Sequence, residues 1–142
     1  MKKEELITIF EKRLKQSERE REKYSLEIGL ADGPMESAGI SVSRWIIEDR
    51  AEMAGKEVER WKKAIKEISQ IEIKTDFEKI EVGANLVLVW PNRKKEILVT
   101  KEIEDFELGL LPSTNPLVKE IINQKVGFEF QNQGEKIRIE GL

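Results

Sequence analysis

Gly29-Leu30-Ala31-Asp32-Gly33-Pro34 is the stretch on which the fold turns. Two glycines and a proline within six residues interrupt a helix. Apolar seams lie on both sides of the interruption. Before it, Ile7, Phe10, Leu14, Ser17, Arg21, Tyr24 and Ile28 follow one another at spacings of three and four, with two polar residues in the middle. After it, Ile40, Arg44, Ile47, Ala51, Ala54, Val58, Trp61, Ile65 and Ile68 keep the same rhythm over four heptads. That spacing predicts two helices with facing apolar stripes. A short break between matched seams predicts an antiparallel coiled-coil hairpin over residues 1–75, its tip near 29–39. Arms of about 26 residues give a length of roughly 39 Å at 1.5 Å per residue.

Composition changes near residue 75. Residues 1–75 carry 16 Lys/Arg and 16 Asp/Glu, whereas residues 76–142 carry 9 and 12. Three of the four prolines fall in the second part. There Leu86–Trp90 reads as a strand, Pro91–Lys94 as a turn and Glu96–Thr100 as the returning strand. Phe128–Phe130 and Ile137–Ile139 alternate in and out, joined by a loop around Gly134. Between these pairs, Asn115 is a good helix N-cap and Pro116 a good first helical residue. Leu117, Val118, Ile121 and Ile122 give that helix one apolar face. The expected fold class is α+β, a helical hairpin followed by a small β-domain with one short helix.

Several functions are excluded by what the chain lacks. Among its 142 residues there is no cysteine and no histidine. Disulfides, zinc–thiolate sites, cysteine nucleophiles and serine–histidine–acid triads therefore cannot be built. A net charge of −3 argues against duplex DNA binding driven by bulk charge. No apolar run reaches the ~20 residues of a membrane span, and Met1–Glu5 lacks a signal-peptide core. A cytoplasmic, monomeric protein is expected. Gly83 and Gly127 fit no phosphate-cradling motif.

The order of the C-terminal segments resembles the bacterial Gre-type transcript cleavage factors. The residues that carry the resemblance are Thr114-Asn115-Pro116-Leu117-Val118-Lys119-Glu120-Ile121-Ile122, then Lys125-Val126-Gly127 and the strand pair after it. Val82-Gly83-Ala84-Asn85-Leu86-Val87 resembles the first strand of that family's domain. The likeness covers residues 80–140; residues 1–75 share only the architecture. It implies an FKBP-like fold for residues 76–142, docking on RNA polymerase through Ser113, Thr114, Asn115 and Pro116. It also implies a hairpin that enters the polymerase's secondary channel and acts on backtracked complexes. The RNA 3′ end would then be met only inside the polymerase, and the chain would be a regulator of another enzyme's site, with no cofactor of its own.

At the tip, the family's acidic stretch corresponds here to Asp32-Gly33-Pro34-Met35-Glu36-Ser37-Ala38-Gly39. Asp32 and Glu36 are the expected catalytic carboxylates, sharing the polymerase's magnesium. No Lys or Arg occurs from residue 24 through 43, so their charge is uncompensated. The plainer reading is that they are turn and helix-start acids. Three other functions fit parts of the sequence: a non-cleaving channel regulator competing with Gre factors, a coiled-coil adaptor, and an FKBP-type prolyl isomerase. The isomerase needs an aromatic pocket, and residues 76–142 offer only Phe77, Trp90, Phe106, Phe128 and Phe130. Trp61 is expected in the hairpin core, Trp90 in the β-domain core or packed between the two parts, and Trp45 either against the first helix near Leu26 or on a partner. Met35 either packs into a partner or folds back onto Ile40.

Overall fold

A computed structural model describes residues 1–31 and 38–142. Two long helices come first, α1 (Lys3–Ala31) and α2 (Ala38–Gln70). Five strands and one short helix follow: β1 (Asn85–Val89), β2 (Lys94–Thr100), β3 (Leu110–Pro112), α3 (Pro116–Ile121), β4 (Glu129–Asn132) and β5 (Glu135–Glu140). The chain divides into two compact units. One is Glu4–Ile68; the other is Met1–Lys3 together with Ser69–Leu142. The α+β class expected from the sequence is what is seen.

In the Glu4–Ile68 unit the two helices lie against each other. Phe10 of α1 stacks on Trp61 of α2, with ring centroids 5.6 Å apart. Arg13 and Arg60 cover the indole at 4.9 and 4.8 Å. Further along, Arg21 of α1 reaches Gly55 of α2. Contacts that advance along one helix while receding along the other describe an antiparallel hairpin. Ala54, Val58, Trp61, Ala64 and Ile68 are buried on α2, and Leu6, Phe10 and Ser17 on α1. Phe10, Ser17, Ala54, Val58, Trp61 and Ile68 belong to the expected seams, but Leu6 and Ala64 are buried where Ile7 and Ile65 were expected, these two being half-buried, and Arg21 is exposed. Glu52–Lys56, Glu57–Arg60 and Glu59–Lys62 ion pairs line the solvent side of α2.

Two expectations about the hairpin are corrected. α1 runs through Gly29 to Ala31, so that glycine does not end the helix. Trp45 does not cover α1: it is 68% exposed, and Leu26 is 65% exposed. The reason is angular. At about 100° per residue, Trp45 lies roughly 200° from Ile47 of the seam and so faces solvent.

In the other unit the strands form one curled sheet in the order β3-β2-β1-β5-β4. β1 and β2 are an antiparallel hairpin, as are β4 and β5; β1 also pairs antiparallel with β5. β3 joins the edge parallel to β2, an element that the sequence pattern did not suggest. Three residues are too few to show alternation, and Pro112 lacks the N–H a central strand needs. Leu86, Leu88, Ile97, Val99, Leu111, Phe130, Ile137 and Ile139 point to one face and meet Val118 and Ile121 of α3. Trp90 is in this core, as its position at a strand end implied.

The opposite face is covered at one corner by the first residue. The Met1 ammonium donates to Glu96 Oε1 at 2.5 Å and to Asn85 Oδ1 at 3.2 Å. Asn85 is fully buried and spends its amide N–H on the Ile97 carbonyl. The segment before β1 is tied in as well. Lys74 N donates to the Gly83 carbonyl, Asn85 N to the Lys74 carbonyl, and Ile80 N to the Gln124 carbonyl, each at 2.8 Å.

Candidate functional site

The Ser113–Pro116 segment is a stiff loop between β3 and α3, held from both sides. Thr100 pairs with Pro112, so the loop leaves the sheet in a fixed direction. Ser113 N donates to the Thr100 carbonyl at 3.0 Å, and Asn115 N to the Pro112 carbonyl at 2.9 Å. Asn115 has an extended backbone, φ −62° and ψ 134°, and its Oδ1 accepts from Leu117 N at 2.9 Å. That is the geometry of a helix N-cap, and Pro116 occupies the first turn, where a missing N–H costs nothing.

A second loop buttresses this one. The Asn115 amide Nδ2 donates to Glu104 Oε1 at 2.6 Å. Thr100 Oγ1 donates to the Ile103 carbonyl at 2.5 Å, and Asp105 Oδ1 accepts from Leu108 N at 3.1 Å. Residues 100–116 thus form one hydrogen-bonded display, with Thr114 and Pro116 exposed at its crest and Ser113 half-buried. Glu104 and Thr100 were missed as parts of this site. No spacing rule links residue 104 to residue 115; the link exists only through the parallel β2–β3 pairing.

The polar side chains of this loop are those of Ser113, Thr114 and Asn115, with Glu104 beside them. They are a hydroxyl pair, an amide already engaged as a cap, and a carboxylate already bonded to that amide. Asn115 Oδ1 and Nδ2, Glu104 Oε1, Thr100 Oγ1 and Asp105 Oδ1 each make a hydrogen bond within residues 100–117. Among the described residues, no group of three or more acidic side chains is placed to hold a metal ion. Asp32 and Glu36, the expected tip carboxylates, lie outside the described residues, as does Met35.

Two residues of the basic run 93–95 lie over aromatic rings. Arg93 lies over the Trp90 ring at 4.5 Å and Lys95 over Phe106 at 4.7 Å. The Glu96 carboxyl is held below its ordinary value, first by the hydrogen bond from the Met1 ammonium, with the Asn85 side chain and the ammonium charge adding to it against the cost of burial. Arg93, Lys95 and Glu96 thus each have a partner within the sheet unit.

No protein-family model and no curated protein matches the chain.

Proposed function

We propose that this chain is a transcription elongation factor acting on RNA polymerase. In this reading the hairpin enters the polymerase's secondary channel, and the sheet unit, with an FKBP-like fold, docks outside through Ser113, Thr114, Asn115 and Pro116. One observation carries the reading: a helical hairpin followed by a sheet unit whose Ser113–Pro116 loop is rigidly displayed at the head of α3. A loop whose conformation is fixed in advance loses little entropy on binding, which is what a docking surface needs. The lack of cysteine and histidine fits a protein that modifies another enzyme's centre and brings no acid–base machinery of its own.

The working end of the hairpin is its tip. Asp32 and Glu36 are proposed to approach the magnesium of the polymerase and to promote cleavage of a backtracked transcript. The chain itself needs no cofactor, acts in the cytoplasm as a monomer, and meets RNA only within the polymerase complex.

The test is a pull-down with bacterial core RNA polymerase, followed by a cleavage assay on a backtracked complex. Binding with accelerated cleavage, abolished by Asp32→Asn with Glu36→Gln, is the expected result. Binding without acceleration turns the reading into that of a non-cleaving channel regulator, a role suited to the Gly33-Pro34 insertion between the two acids. Absence of binding ends the polymerase reading.

A further inference from the structure

We draw no further inference here: the strongest candidate, the exposed apolar face of α2 formed by Trp45, Ile46 and Met53, carries Arg50 and Lys56 as well as Asp49 and so has no charge bias, and nothing in the structure shows what covers it.

Discussion

Single positions in the sheet unit are constrained by backbone approach more than by side-chain packing. Gly83 has φ 97° and Gly109 φ 76°. A Cβ on Gly83 would overlap the Glu72 carbonyl oxygen, and one on Gly109 the Glu96 carbonyl oxygen. Both obstacles are backbone, so they cannot swing aside. Gly83→Ala and Gly109→Ala should each destabilise the protein by more than the ~1 kcal/mol typical of point mutants, measured by urea denaturation. Glu96 gives a pH test. Its folded pKa lies below the ordinary 4.5, with the Met1 ammonium as the main cause. A depressed carboxyl pKa stabilises the fold above the unfolded value, and the effect disappears as pH falls through the folded value. Wild type should therefore exceed Glu96→Gln in stability near neutral pH. That margin should begin to shrink near pH 4.5 and vanish below the folded pKa. A margin that stays constant through acid would show that the ammonium contact contributes nothing.

Among the elements, the hairpin depends on one aromatic sandwich. Trp61 is stacked on Phe10 and flanked by two guanidinium groups. Trp61→Ala removes the stack, the cation–π contacts and the buried indole together, and should cost about 3–5 kcal/mol. Trp45→Ala on the same helix removes only an exposed ring and should stay within ~0.5 kcal/mol. Thermal melts followed at 222 nm separate the two. The helices were legible because their seams repeat over several turns, where the 3.6-residue period outweighs isolated exceptions such as Gly29. For Trp45 the sequence leaves the side of α1 and a partner both open, and its angle from Ile47 puts it on the solvent side. The Asn115–Pro116 helix start was legible too, since cap and first-turn preferences are local. β3 was not, and neither was the bond from Asn115 to Glu104. Both depend on a parallel pairing between residues far apart in sequence, and a period-two pattern has no information about partners.

At the scale of the molecule, the two units are stabilised by different kinds of contact. The hairpin uses neighbours in a helical register, with i,i+3 and i,i+4 ion pairs on its surface. The sheet unit uses a continuous apolar core around β1 and β5, with α3 on one face and Met1 at a corner of the other. Sequence reading established this α-then-β order from charge density and proline placement. It could not place Met1, because the contact joins residue 1 to residues 85 and 96, and no local pattern spans that distance.

The central pairing of the sheet also sets how fast that unit can form. β1 with β2, and β4 with β5, are hairpins closed by tight turns, and each can zip up from its own loop. Joining them requires Val89 to find Arg138 across most of the unit. Closing such a span costs chain entropy before any packing rewards it. The barrier to refolding should therefore lie at the docking of the two hairpins, with α3 settling afterwards on the finished sheet. Ile139→Val, in the β5 strand at that junction, should slow refolding in stopped-flow experiments. Ile121→Val in α3, losing a similar buried methyl, should leave refolding nearly unchanged and speed unfolding instead.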